Sequence, residues 1–428
     1  MLTALTLVAA LTTGQLPPWM TGQSQSADLA ISLVTFGPGD TLTEWWGHTA
    51  LVVEDKRLNH ARLYNFGMFS FSEGFVHRFV QGRLEFWVAD DPVPGTFNLY
   101  RSLNRDVRIQ ELDLTPEQAM AVAKALGTHV LPENRTYLYH HYDDNCSTRP
   151  RDILDAAIGG QLKAATNVPA RMSLRAHTMR YSMVNPPMSL VLDYLQNDEL
   201  DGPITQQKEA YLPDELERQV QALQVTGPDG VKHPLVKRQW TWFTAKRAPV
   251  PETPPNWIPW LFLLGLGVAG VGHALGWAAR NGRKLPRVAL GLLHVLLGLG
   301  LGAFGVFLFI VGIFTNHTVA HRNENLFLVN PITFALLPLG VMLMWGAKRA
   351  RPGLFWTWAA LGALSLLGVA LKVLPMFDQQ NWNLIALFVP VNVGFAALFW
   401  LDWRLREDAP ASGGQASKDD GKANAPAT

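Results

Sequence analysis

The chain has very little cysteine and no excess of charge of either sign. Its 428 residues contain a single cysteine, Cys146, which excludes an intrachain disulfide and a multi-cysteine zinc site. The 36 basic and 35 acidic residues argue against a nucleic-acid partner, because such proteins usually carry a basic surface. A glycine-rich stretch, GLGVAG, lies inside an apolar run rather than after a soluble strand, so it does not indicate a nucleotide. We expect no cofactor and no metal ion.

Long apolar runs are absent between residues 24 and 255, and they dominate the sequence after that point. Five runs are long enough to cross a bilayer as helices, namely residues 257–279, 288–314, 326–346, 354–374 and 384–401. We therefore predict a secretory signal peptide or N-terminal hydrophobic segment in residues 1–23 and a globular domain in 24–255. An all-α domain of five transmembrane helices follows in 256–403, and the polar composition of 404–428 is typical of a disordered cytoplasmic tail.

The basic residues in the connecting loops predict the orientation of the chain in the membrane. The loops RNGRKLPR and KRARPG and the terminal segment DWRLR are basic, whereas the loops TNHTVAHRNEN and PMFDQQNWN carry one arginine between them. Because basic loops stay in the cytoplasm, the second and fourth loops and the globular domain are expected on the opposite side. The sequence thus predicts a multi-pass protein of a bacterial inner (cytoplasmic) membrane with its globular domain in the periplasm.

The globular domain is predicted to be of the α+β class, with strands first and helices afterwards. Alternating or β-branched runs predict strands at LAISLVTF, WWGHTALVVED, ARLYNFGMF, GRLEFWVAD and VRIQELDL. A helix is expected after Thr115, which has Gln118 three residues later as in a capping box. A second helix is expected after Cys146, with Ser147 or Thr148 as its cap and a glycine pair, GG at 159–160, at its end.

Cys146 is the principal candidate for a reactive residue. It lies in the polar segment YDDNCSTRPRDILD, whereas buried structural thiols usually lie in apolar runs. A position before a helix favours the thiolate through unpaired backbone N–H groups and the helix dipole. Arg149 and Arg151 would add positive potential, and Asp143 and Asp144 would oppose it, so local charge does not decide the protonation state.

A nucleophilic thiol requires a base, and His48 is the preferred histidine. It begins a predicted strand after a glycine, where an imidazole can project into a cleft. Asn65 lies on the adjacent predicted strand and can hold the imidazole in the useful tautomer. A structural role remains open for both residues, since His48 can be an ordinary strand histidine and Asn65 an ordinary turn residue. The cluster HHYDDNC contains possible metal ligands, but adjacent residues such as His140 and His141 diverge on a regular backbone, which argues against a metal site.

The second loop is unusually rich in polar side chains for the start of an apolar run. The candidates for substrate binding there are His321, Asn323, Glu324, Asn325 and Asn330. Desolvating so many polar groups costs free energy unless they bind a ligand or one another. The alternatives are a lipid head-group or lipoprotein site and a set of helix caps and polar pairs at the membrane surface.

Several motifs together resemble a known family. The segments WWGHTALVVED, LYNFGMFSF, GRLEFWVAD, PENRTYLYHHYDDNCSTRPRDILD and NHTVAHRNENLFLVNP are similar to those of the Lnb-type bacterial lipoprotein N-acyltransferases. The resemblance implies a permuted papain-like, NlpC/P60-like periplasmic domain followed by five membrane helices. It also implies Cys146 as nucleophile and His48 as base. Asn65 replaces an acidic residue that relatives often have in YDYGMF, which leaves its part as third member open.

The same resemblance implies an activity. The Cys146 thiolate would take an acyl chain from a phospholipid as a thioester and pass it to the N-terminal amine of a diacylglyceryl-cysteine lipoprotein. The expected partners are therefore a phospholipid donor, a lipoprotein acceptor and the inner membrane. Two other functions remain open: a membrane-anchored periplasmic cysteine peptidase or amidase, and an inactive scaffold or sensor protein.

Overall fold

The structure, a computed structural model, describes residues 16–70, 75–280 and 282–407. Of the predicted signal peptide or N-terminal hydrophobic segment, 1–23, residues 1–15 lie outside the described residues, and of the predicted disordered tail, 404–428, residues 408–428 lie outside them. The chain divides into two compact units. The first runs to Asn256 and also contains Ile310–Asn323 and Met376–Asn381, and the second contains Trp257–Phe309, Glu324–Pro375 and the helix that follows.

The first unit is built on an antiparallel sheet, which confirms the α+β class. Its strands are Leu29–Phe36 (β1), His48–Asp55 (β2), His60–Met68 (β3), Glu85–Asp91 (β4), Val107–Leu112 (β5), Thr136–Leu138 (β6) and Val236–Phe243 (β9). A separate small hairpin precedes β9 and consists of Gln224–Thr226 (β7) and Lys232–Pro234 (β8). The order across the sheet is β6-β4-β3-β2-β1-β5-β9. All five predicted strands are therefore present, and they are neighbours in space.

Helices cover both faces of this sheet. They are Pro18–Thr21 (α1), Phe75–Gln81 (α2), Val93–Ser102 (α3), Pro116–His129 (α4), Thr148–Ala157 (α5), Gln161–Thr166 (α6), Leu174–Ser182 (α7), Pro186–Leu195 (α8), Gln206–Glu209 (α9) and Pro213–Ala222 (α10). Alternation along β1 gives each face its own core, since Leu33 packs towards α4 and α10 while Val34 packs towards α3. The capping box predicted at Thr115 and Gln118 is formed.

The folded unit includes residues that the sequence analysis assigned to the leading segment. Trp19 lies in α1 and is 1% exposed in the main core. Its indole Nε1 donates a hydrogen bond to Tyr64 Oη at 3.0 Å, which links α1 to β3. A tryptophan in this position contributes both apolar area and a satisfied polar group. The folded part of the chain therefore starts before Ser24.

Two segments between membrane helices fold as parts of the first unit. The Asn197 side chain donates hydrogen bonds to the carbonyl oxygens of Thr318 and His321 at 2.9 and 3.0 Å. Gln379 donates to the carbonyl oxygen of Gln196 at 2.9 Å. These segments are the second and fourth loops, which the distribution of basic residues assigns to the same side of the membrane as the globular domain.

The second unit is helical, and its helices are Ile258–Ala278 (α11), Lys284–Phe314 (α12), Leu336–Met344 (α13), Ala350–Leu371 (α14) and Trp382–Glu407 (α15). Among the described residues, α11, α12, α14 and α15 are each long and apolar enough to span a membrane. A fifth span exists only if the bent pair Thr318–Phe327 and Pro331–Met344 is counted as one.

The expectation of one continuous helix over residues 326–346 is wrong. The chain forms a 3₁₀ turn at Glu324–Phe327, a second at Pro331–Ala335 and only then the helix α13. Pro331 has no N–H to donate and disfavours a helical conformation at the preceding residue. The Asn330 side chain accepts a hydrogen bond from the Ile332 N–H at 3.0 Å and starts the new turn.

Trp19→Ala should lower the stability of the first unit by about 3–5 kcal/mol, because it removes a fully buried indole and leaves the Tyr64 hydroxyl without its donor. The midpoint of thermal unfolding of the detergent-purified full-length protein, followed by near-UV circular dichroism, measures the effect. Trp242→Ala is the matched control, since Trp242 is 40% exposed on β9. Equal midpoints for the two variants would contradict the position of α1 in the core.

Candidate functional site

Cys146 lies in the turn between β6 and α5 and is partly buried. The residue before it holds this turn in place. Asn145 Oδ1 accepts hydrogen bonds from the backbone N–H groups of Ser147 and Thr148 at 2.8 and 2.9 Å. Its Nδ2 donates to the carbonyl oxygens of His141 and Tyr211 at 2.7 and 3.0 Å. A fully satisfied, buried amide thus fixes the backbone on which the thiol is carried.

This arrangement corrects two expectations about the charge around the thiol. Ser147 precedes the first residue of α5, but its hydroxyl donates to Ala210 O at 2.8 Å, and the Asn145 amide supplies the cap instead. The first free N–H groups of the helix therefore face Asn145 and not the sulfur. Arg149 pairs with Asp144 at 2.6 Å and Arg151 with Asp152 at 2.7 Å, so both arginines are already neutralised.

His48 begins β2, as the sequence predicts. Gly47 before it has a φ of +79°, and a Cβ there would lie 2.9 Å from Phe36 O, so only glycine fits this turn. The imidazole is packed in parallel with two aromatic rings, Phe36 at 6.1 Å and Tyr100 at 6.3 Å between centroids. The sheet and α3 thus hold the ring plane of His48.

Asn65 orients the imidazole from the neighbouring strand. His48 Nε2 lies 2.6 Å from Asn65 Oδ1. Because an amide oxygen can only accept, Nε2 is the protonated nitrogen and its N–H donates a hydrogen bond to Asn65. Nδ1 is then the unprotonated nitrogen. The Asn65 side chain also hydrogen-bonds to Asp91 on β4, which opposes the increase in the pKa of that carboxyl caused by burial and by Asp90. Asp91 was not predicted, because it lies two strands away from His48.

The thiol and the imidazole converge at Gly67 on β3. A Cβ placed on Gly67 would lie 3.5 Å from Cys146 Cβ and 3.9 Å from His48 Cε1. The φ of Gly67 is +97°, which also favours glycine. The sulfur lies near the backbone N–H of Thr49, the residue after His48. The structure therefore brings together the three residues predicted as nucleophile, base and orienting group: Cys146, His48 and Asn65.

Both reacting groups are neutral at physiological pH. Burial raises the pKa of the Cys146 thiol to about 11, although the Thr49 N–H and the Arg105 guanidinium act in the opposite direction. Burial also lowers the pKa of His48 to about 4, Arg105 lowers it further, and the hydrogen bond to Asn65 opposes the change. The resting site is thus a thiol beside a free imidazole base and not a thiolate–imidazolium pair.

Arg105 is a buried cation near this site that the sequence analysis did not select, and its guanidinium pairs with Glu44 at 3.5 Å. It is 4% exposed, and its Nε donates to Gly37 O at 2.8 Å. Its guanidinium carbon lies 4.7 Å from the centroid of the Tyr100 ring, whose other neighbours are Phe36 and His48. A buried positive charge stabilises a developing thiolate more strongly than an exposed one would, because solvent screens it less.

Two of the predicted substrate-binding residues belong to the first unit. The His321 Nε2–H donates to Thr315 O at 2.9 Å. Asn323 is 4% exposed, donates to Tyr194 O at 3.2 Å and accepts from Gln379 at the same distance. These contacts join the second loop to α8 and to the fourth loop.

The other three predicted substrate-binding residues belong to the second unit. Glu324 pairs with Lys372 at 2.6 Å, Asn330 caps the turn at Pro331–Ala335, and Asn325 is fully buried. Each therefore has a role in the fold. Substrate binding by the five loop residues stays a prediction.

The neutral resting state predicts the pH dependence of thiol alkylation. With a thiol pKa near 11, the thiolate fraction and hence the alkylation rate of Cys146 by iodoacetamide should rise about tenfold per pH unit between pH 6.5 and 9. Arg105→Met should slow alkylation at each pH, whereas Arg101→Met on the exposed side of α3 should not. A plateau below pH 8 would instead reveal a preformed ion pair.

Comparison with known proteins identifies the first unit. Residues 15–181 match the family model described as the Lnb N-terminal periplasmic domain, and this range includes His48, Asn65 and Cys146. No curated protein and no solved structure matches the chain. A periplasmic domain followed by apolar helices is the organisation of a multi-pass membrane protein. Residues 15–181 thus form a domain of the Lnb N-terminal type, which supports the resemblance to the Lnb-type family.

Proposed function

We propose that the protein is a lipoprotein N-acyltransferase, which moves an acyl chain from a phospholipid through a thioester on Cys146 to the N-terminal amine of a diacylglyceryl-cysteine lipoprotein. The observation that carries the proposal is the convergence of a thiol and an Asn65-bound imidazole at Gly67 within an Lnb periplasmic domain. The same proposal makes the inner membrane the location of the protein and the sheet a permuted papain-like fold, in which His48 precedes Cys146.

The first step is attack on the phospholipid ester. As the sulfur of Cys146 bonds to the acyl carbon, the thiol proton passes to His48 Nδ1, the nitrogen that Asn65 leaves unprotonated. The carbon–oxygen ester bond then breaks, and the same proton passes to the departing oxygen. The products are a thioester on Cys146 and a lysophospholipid. A neutral thiol suits this step, since it becomes nucleophilic only when the base takes its proton.

The second step returns the enzyme to its starting state. The neutral amine of the lipoprotein attacks the thioester carbon and loses a proton to His48, which gives that proton to the departing sulfur of Cys146. The carbon–sulfur bond is replaced by an amide, and the thiol is regenerated. Because burial keeps the pKa of His48 at about 4, the imidazole is a free base throughout the neutral range and is able to accept this proton.

A labelled phospholipid tests the proposed intermediate. Full-length protein in detergent, incubated with a phospholipid that carries a radiolabelled acyl chain, should retain label that hydroxylamine releases. Cys146→Ala should retain none, and His48→Ala should form the acyl-enzyme about 10²- to 10⁴-fold more slowly because it lacks the base. The matched control is His140→Ala, which removes a 41%-exposed imidazole from the segment before Cys146.

The outcomes separate the proposed function from its alternatives. Transfer of label to an added diacylglyceryl-cysteine peptide supports the transferase. Hydrolysis of a peptide amide without retained acyl label would instead identify a cysteine peptidase or amidase. Equal labelling of the wild type and Cys146→Ala would remove the thioester mechanism.

The role of Asn65 predicts a graded effect. Asn65→Ala should slow acyl-enzyme formation by about tenfold, the equivalent of one hydrogen bond, because the imidazole keeps its ring contacts but loses its tautomer control. Asn65→Asp retains an acceptor for the Nε2 proton and should be less impaired than Asn65→Ala, and it should shift the acidic limb of the pH–rate profile upwards, because a negative charge stabilises the imidazolium. Single-turnover rates between pH 5 and 9 measure both effects, and identical profiles for the two variants would contradict this role.

A further inference from the structure

Tyr137, in the short strand β6, carries a buried hydroxyl whose proton has no acceptor among the described residues. The residue is 8% exposed, and among the described residues its Oη has no hydrogen-bond partner. The backbone N–H of Gly67 faces the same oxygen, which leaves the hydroxyl proton itself free to donate. Burying a hydroxyl proton without an acceptor costs free energy that a phenylalanine at this position would avoid. The hydroxyl therefore needs an explanation outside the packing of the sheet.

The hydroxyl points to the place where the thiol and the imidazole converge. The Cβ position on Gly67 that lies 3.5 Å from Cys146 Cβ and 3.9 Å from His48 Cε1 also lies 4.0 Å from Tyr137 Oη. Three functional groups of different kinds, a nucleophile, a base and a hydrogen-bond donor, thus surround one point that has no side chain. Acyl transfer requires these three functions around the reacting carbon.

A partly buried arginine packs against the ring of Tyr137. The guanidinium carbon of Arg149 lies 3.7 Å from the centroid of the Tyr137 ring. Asp144 holds this arginine with two hydrogen bonds, of 2.6 and 2.9 Å. The contact between guanidinium and ring holds the phenol in place. Burial raises the pKa of Tyr137, so the hydroxyl keeps its proton at every working pH.

We propose that the Tyr137 hydroxyl donates a hydrogen bond to the oxyanion that forms when Cys146 attacks an acyl carbonyl. The proposal rests on the acyl transfer proposed above and adds the group that stabilises its tetrahedral intermediates. When the sulfur–carbon bond forms, the carbonyl π electrons move to the oxygen, and the tyrosine stabilises that charge without giving up its proton. When the intermediate collapses, the electrons return to the carbonyl and the leaving group departs. The same donor serves both half-reactions, because both pass through an oxyanion.

Tyr137→Phe in the full-length protein tests this role, because it removes the hydroxyl and keeps the ring under Arg149. The rate of acyl-enzyme formation from phospholipid should fall about 10- to 1,000-fold, the range for loss of one oxyanion donor. The rate of Cys146 alkylation by iodoacetamide should stay unchanged across the pH range, since alkylation forms no oxyanion. Tyr139→Phe is the matched control, because the Tyr139 hydroxyl is 3.3 Å from His141 Nδ1 and already has a partner.

A second acyl donor keeps this test separate from the identity of the substrate. A p-nitrophenyl ester of a short acyl chain acylates a reactive thiol whatever the natural donor is, and release of nitrophenol reports the burst. A slow burst in Tyr137→Phe beside a normal burst in Tyr139→Phe supports the oxyanion role even if phospholipid proves not to be the donor. Wild-type burst rates in Tyr137→Phe, or equal losses in alkylation and acylation, would overturn it.

Discussion

The antiparallel pairing of β2 with β3 is the constraint on which the site depends. Ala50 pairs with Asn65 at the end of this ladder, and beyond that pair the imidazole of His48 approaches Gly67. The absence of a side chain at Gly67 leaves space beside the imidazole, and the turn after β6 places Cys146 there. A shift of the register by one residue would send Asn65 to the other face of the sheet and remove its bond to the imidazole.

Desolvation controls the chemistry of this space more than local charge does. Burial raises the pKa of the Cys146 thiol and lowers the pKa of the His48 imidazole, because in both cases it favours the uncharged form. The result is a thiol and an imidazole that are both uncharged at neutral pH. Arg105 moderates this effect for the thiol through a buried positive charge behind the Tyr100 ring. Such an arrangement keeps most of the sulfur in the thiol form at neutral pH, so its reactivity depends on removal of the proton.

Much of the fold could be predicted from the sequence, because its signals are local. Strands such as β1 have the apolar, β-branched composition of a buried strand. The capping box of α4 can be recognised from the four consecutive residues 115–118. His48 and Asn65 could be paired because their strands are consecutive. Cys146 stood out as the only thiol in a polar segment, although its link to His48 depends on contacts that the sequence does not specify.

Other features depend on contacts between distant parts of the chain. Arg105 enters the site from the loop after α3, and nothing in its own segment distinguishes it from other arginines. The sequence predicts Ser147 or Thr148 as the cap of α5, whereas the Asn145 side chain accepts from the N–H groups of both and is held by two further hydrogen bonds. Hydrophobicity alone predicts a continuous third span, but the helix is interrupted at Asn330–Pro331. The proline disfavours a helical conformation at the residue before it, whatever the hydrophobicity of the segment.

The first unit is not contiguous in the sequence, and this has a consequence for biosynthesis. Two of its pieces, Ile310–Asn323 and Met376–Asn381, are synthesised only after membrane helices that precede them. Until then the buried Asn197 amide lacks the two carbonyl oxygens to which it donates, so the early chain carries an unsatisfied polar group. Maturation of the N-terminal unit is thereby tied to correct insertion of α12 and α14, and a chain threaded with the wrong topology would leave it incomplete. Completion of the N-terminal unit therefore depends on where these two later segments are placed during membrane insertion.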